Sequence, residues 1–115
     1  MQFDRENERQ GDVEKSEPFS ETNGLSLAIE VVSKFQTNHI FEIAQKVNVS
    51  IIYEKWFPVT FGEFDRQKRR ITVNENAEIP LEKIIAHELG HYFLQDLKVL
   101  DEEKFCDEFA EELLK

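Results

Sequence analysis

The sequence predicts a small α+β domain, in which about four helices pack with a small three-stranded antiparallel sheet. Three observations point there. Apolar residues recur every three to four positions before residue 47, and again after residue 80. Between those stretches lie three short runs rich in β-branched and aromatic residues. At 115 residues there is room for one domain, and 40% apolar residues with ten phenylalanines suffice for its core.

Residues 1–23 carry seven acids, three bases and few apolar groups, which predicts an acidic, disordered arm ahead of a domain at 24–115. Leu25, Ile29, Val32 and Phe35 then mark a helix of about three turns. Asn38 is suited to cap a second helix over 39–47, with Ile40, Phe41, Ala44 and Val47 facing inward. Val49 to Tyr53 reads as a strand. Pro58 breaks the chain, Val59 to Phe64 reads as a second strand, and DRQKRR turns it into a third, Arg70 to Asn74. Pro80 sits in the first turn of a helix over about 80–96. Asp101 caps a last helix that runs to Leu114.

A net charge of −10 opposes phosphate-neutralising nucleic-acid binding. The one cationic cluster, Arg66, Lys68, Arg69 and Arg70, reads as a solvated turn. A single cysteine, Cys106, cannot form an internal disulfide. No run is long and apolar enough to span a membrane, and MQFDRENERQ lacks the features of a signal peptide. The expectation is a soluble, cytoplasmic protein with no direct nucleic-acid or membrane partner.

The chemistry concentrates in IIAHELGHYFLQ, residues 84–95. Positions i and i+4 lie about 40° apart around a helix, so His87 and His91 share a face and can grip one ion. Glu88 is rotated roughly 60° from His91, close enough to reach a water without having to bind the metal. Zinc suits two neutral imidazoles plus an oxygen ligand and leaves a fourth position open. A carboxylate can then serve as the base. From this composition an H-E-x-x-H arises by chance on the order of one time in a hundred.

A third ligand is needed. The metzincin pattern would put glycine at 94 and histidine at 97, where this chain has Leu94 and Leu97. His39 is the remaining imidazole, and a capping or surface role suits it better. The last helix offers carboxylates: Glu103 and Asp107, four apart, lie beside its apolar stripe and can both face the histidines. Glu103 is the candidate ligand, with Glu102 its rival, and Asp107 is placed to accept the outer N–H of a metal-bound histidine. Cys106 reads as a small buried thiol. Tyr53, Tyr92 and Arg66 have the chemistry to stabilise an oxyanion.

The pairing of IIAHELGHYFLQ with EEKFCDEFAEELL resembles the ImmA/IrrE family of metallo-endopeptidases, which are gluzincin-like. FEIAQKVNVSIIYEKWF and FGEFDRQKRRITVNENAEIPLEKIIAHE are similar to the family's small helix, first strand, hairpin and lead-in. The resemblance covers about residues 38–114 and implies a minimal zincin-like domain. It places His87, His91 and Glu103 on the metal ligands, Glu88 on the catalytic glutamate and Asp107 on the supporting Asn/Asp. Cys106 departs from the usual alanine. The chain also lacks the Met-Pro and further residues that often follow the last helix, which would leave the cleft short of a wall. The implied activity is zinc-dependent cleavage of a protein, often a helix-turn-helix repressor, which relieves transcriptional repression. A second reading of a different class is a metal-stabilised interaction module that binds a partner with little or no cleavage.

Overall fold

The structure is a computed structural model that describes residues 22–58, 60–95 and 97–115. The expected acidic arm falls outside the described residues, apart from its last two positions. The first helix, α1, spans Gly24–Phe35, and the Asn23 side chain accepts the Ser26 N–H at 2.8 Å to cap it. Its buried residues are Gly24, Ala28 and Val31, while Leu25 and Ile29 are 45% and 52% exposed. The expected Leu25–Ile29 face is therefore turned outward. The cause is the closeness of α1 to the last helix: a Cβ on Gly24 would lie 2.1 Å from the Phe105 carbonyl oxygen and 2.5 Å from the Phe109 nitrogen. Only small residues fit such an approach.

Helix α2 spans Ile40–Lys46 and buries Ile40, Ile43 and Ala44. Asn38 does not cap it. His39 holds the N-cap position without a side-chain bond, and Asn38 instead donates through Nδ2 to the Lys115 carbonyl at 3.1 Å. Phe41, expected inside, is 43% exposed.

The three strands are β1, Ser50–Glu54; β2, Gly62–Asp65; and β3, Arg70–Asn74. Their order is β1-β3-β2. β2 and β3 form the expected antiparallel hairpin, but β1 pairs with β3 in parallel, Ile51 beside Ile71 and Tyr53 beside Val73. The sheet is thus mixed rather than antiparallel throughout. Its reason is the connection from β1 to β2, whose described residues 55–58, 60 and 61 lie past the end of β3, so that β2 is set down on the far side. Parallel neighbours need a crossover of about a dozen residues, and here that connection, β2 and the hairpin turn together supply it.

Asn74, wholly buried at the end of β3, holds that connection. Its Nδ2 donates to the Phe57 and Thr60 carbonyls at 2.9 and 2.6 Å. Its Oδ1 accepts the Trp56 and Asn76 N–H groups at 2.9 and 3.0 Å. The hairpin turn, Arg66 to Arg69, is exposed as its charge suggests. Arg69 donates to the Val47 and Asn48 carbonyls and lies 5.4 Å from the centre of the Tyr92 ring, tying the turn to two helices.

Helix α3 spans Leu81–Leu94 behind an N-cap proline, Pro80, and α4 spans Glu102–Leu113, with the Asp101 side chain accepting the Lys104 N–H at 3.1 Å. Ile84, Ile85 and Leu89 of α3 join Phe109 and Leu113 of α4 and Ile71 and Val73 of β3 in one core. Burying each such side chain contributes about 1.5–3 kcal/mol. Among the described residues no helix is long and apolar enough to cross a membrane.

Candidate metal centre

The α3 helix is packed on most of its circumference, so its open strip is narrow and carries the two histidines. Each keeps 17% of its side chain exposed, and the rings lie 5.1 Å apart. Gly90, on the same helix, lets α4 come close: a Cβ there would lie 3.1 Å from Cys106 Sγ and 3.2 Å from its Cα. That approach carries the α4 carboxylates to the imidazoles.

Both nitrogens of each ring thereby meet a carboxylate. His87 Nδ1 lies 2.8 Å from Asp107 Oδ1, and His91 Nδ1 lies 2.6 Å from Glu102 Oε2. His87 Nε2 lies 3.1 Å from Glu103 Oε1, and His91 Nε2 lies 3.1 Å from Glu103 Oε2. A neutral imidazole owns one N–H. If each Nδ1–H donates to its carboxylate, both Nε2 lone pairs face the oxygens of Glu103, an arrangement that calls for a cation between them. Ligands about 2.0–2.1 Å from a tetrahedral ion sit roughly 3.3 Å apart, close to the spacing found here. The donor set therefore suits a divalent ion held by His87, His91 and Glu103.

Cys106 competes on distance alone, because ligand atoms of His87, His91 and Cys106 lie within 4.8 Å of one another. The thiol is fully buried, and burial first, then the charges of Glu102 and Glu103, push it far above the usual thiol range. Both Nε2 atoms already meet an oxygen of Glu103 at 3.1 Å, so we favour the Glu103 set.

Glu88 is 7% exposed, and burial raises its carboxyl pKa, opposed by the nearby His91 and His87. It shares a cleft of about 580 Å³ with Phe61, Gly62, Ile79, Ile84 and His87. A shallower hollow of about 330 Å³ continues past Glu88 toward Glu63, Arg66, His91 and Glu102. β2 forms the lip of both. Asn74 N–H donates to the Phe61 carbonyl at 2.9 Å, and antiparallel pairs alternate, so Gly62 and Phe64 point their backbone groups away from β3, at an edge that pairs with no further strand among the described residues.

Sequence reasoning foresaw His87, Glu88, His91, Glu103 and Asp107, and the structure brings all five together. Glu102, weighed as a rival ligand, instead holds His91. His39 stands apart, exposed beside Phe41. Of the oxyanion candidates, Tyr92 faces Phe64 and Phe93, and Arg66 donates to the His91 and Gln95 carbonyls at 3.3 Å. Tyr53 is 44% exposed on β1, the opposite edge strand from the cleft-forming β2. Asn74 was missed, since nothing in its neighbourhood of sequence announces four partners.

An edge strand, a helix bearing paired histidines and a closing helix that brings carboxylates to them define a metallopeptidase-like domain. Residues 44–114 match the IrrE N-terminal-like domain, Peptidase M78. The match spans well over half of the chain, which therefore belongs to this metallopeptidase family. Neither the comparison with curated proteins nor that with solved structures gave a significant match.

Proposed function

We propose that the protein is a zinc-dependent endopeptidase. The observation that carries this reading is the placement of both Nε2 atoms 3.1 Å from opposite oxygens of Glu103, with both Nδ1 atoms held from behind. When bound there, zinc polarises a carbonyl and makes water easier to deprotonate.

The chain's own residues do the rest. Asp107 and Glu102 accept the Nδ1–H groups and fix both imidazoles with Nε2 inward. A substrate strand pairs with the free backbone groups of Gly62 and Phe64, as a peptide adds to a sheet edge. Glu88, whose burial strengthens it as a base, takes a proton from the attacking water. It returns that proton to the amine nitrogen as the C–N bond breaks. The acidic surface favours a basic protein substrate, which fits the helix-turn-helix repressor that the family resemblance implies.

The test compares wild type with Glu88→Gln on the repressor-like product of a neighbouring gene, with zinc measured on both. The expected result is equal zinc and cleavage by the wild type alone. Zinc and partner bound by the wild type with nothing cut would favour the metal-stabilised interaction module instead.

A further inference from the structure

The metal-proximal cleft has two kinds of lining. His87, Glu88, Glu103, Asp107 and Glu111 supply its ionisable groups, while Phe61, Ile79 and Ile84, the last of them about one turn before His87, supply its apolar end. Ile84 is 2% exposed and forms the floor. Gly62 seals that floor against the strand, because a Cβ there would lie 2.7 Å from Ile84 Cγ2 and 2.8 Å from the Thr72 carbonyl oxygen. Ile79 is half-buried and Phe61 is 46% exposed, so among the described residues both present apolar surface to the cavity. Lys83 and Glu111 also line the cleft, one of each charge.

Distance along the elements fixes which part of a substrate meets this end. Ile84 and Lys83 precede His87 by three and four positions, about one turn, or roughly 5–6 Å. A strand advances about 3.3 Å per residue, so a peptide lying on β2 brings a side chain beside the reacting carbonyl into the apolar end. We infer that the end of the cleft bounded by Phe61, Ile79 and Ile84 selects a large apolar side chain next to the scissile bond. This rests on the endopeptidase reading and adds the substrate feature it recognises. The occupant is the substrate polypeptide itself, since the same cavity holds His87, Glu88 and the β2 edge.

The experiment sequences the cuts made in a randomised synthetic peptide library by zinc-loaded wild type, Phe61→Lys and the double variant Phe61→Ala/Ile79→Ala. The same library is passed over immobilised Glu88→Gln protein to record what binds. The wild type is expected to enrich Leu, Ile, Phe or Met about tenfold at one fixed position beside the cut, and both variants to lose most of that enrichment. A wild-type profile without a fixed apolar position, or one unchanged in both variants, overturns the pocket. If the wild type cuts no more than Glu88→Gln, the endopeptidase reading fails, and capture decides the pocket separately. Apolar enrichment that Phe61→Lys removes from the Glu88→Gln background sustains it, and no enrichment overturns it.

Discussion

Asp107 Oδ1 lies 2.8 Å from Nδ1 of His87, one turn beyond the glutamate whose carboxylate meets the other side of the same ring. The α4 helix thus touches both nitrogens of one imidazole, and Glu102 repeats the outer contact on His91 at 2.6 Å. Removing either outer carboxylate frees a ring to rotate and to change tautomer. Asp107→Ala and Glu102→Ala should each weaken zinc binding about 10- to 100-fold in chelator competition. Asp107→Asn, which still offers an oxygen, should lose less than Asp107→Ala.

The crossing of α3 and α4 depends on Gly90. Gly90→Ala would press a methyl against Cys106, whose Sγ, Cβ and Cα all lie 3.1–3.2 Å away. The expected cost is about 1–3 kcal/mol in urea unfolding, with weaker zinc binding as Glu103 is levered from the histidines. Adding Cys106→Ala removes the sulfur from the methyl's path but leaves the α4 backbone where it was, so recovery should be partial.

Gly24→Ala should be worse, because the obstacles at 2.1 and 2.5 Å are backbone atoms of α4 that cannot turn aside. Loss of α1 docking would appear as early hydrogen exchange in α1 and a lower melting temperature. A neutral outcome would mean that α1 does not sit on α4 in solution.

Asn74→Ala would strand two N–H groups and two carbonyls at a wholly buried position. An unfolding free energy lower by about 2 kcal/mol or more is expected. Asn74→Asp should not rescue it, because a carboxylate oxygen would face the Phe57 and Thr60 carbonyls in place of the amide donor.

Cobalt substituted for zinc should show no thiolate-to-metal charge-transfer band, and Cys106→Ala should leave the cobalt spectrum unchanged. This follows from Glu103, whose two oxygens lie 3.1 Å from the two Nε2 atoms and take the place a sulfur ligand would need. A band that vanishes in Cys106→Ala would assign the third ligand to sulfur.

Much of the site was legible because helix geometry converts spacing into direction. His87 and His91 share a face by their separation alone, and Glu103 and Asp107 face them by theirs. Asp101 announced its cap in the same local way. What escaped depends on partners distant in sequence. Large apolar residues drew attention to the Leu25–Ile29 face of α1, yet close helix packing selects small side chains, and Gly24 and Ala28 carry little hydrophobic signal. Three strands in succession suggested a meander. The parallel pairing of β1 with β3 became visible only with the Asn74 side chain that holds the Phe57 and Thr60 carbonyls between β1 and β2. Glu102 and Glu103 are neighbours of identical chemistry, and only the helix crossing separates the residue that orients His91 from the one that faces both rings.

The most direct test of the metal centre is zinc-edge X-ray absorption on the zinc-loaded protein, read beside Glu103→Ala. Two imidazole nitrogens with oxygen neighbours near 2.0–2.1 Å and no sulfur shell are expected, with loss of an oxygen scatterer or of the ion itself in Glu103→Ala. A sulfur neighbour near 2.3 Å, or a shell indifferent to Glu103, would contradict the assignment.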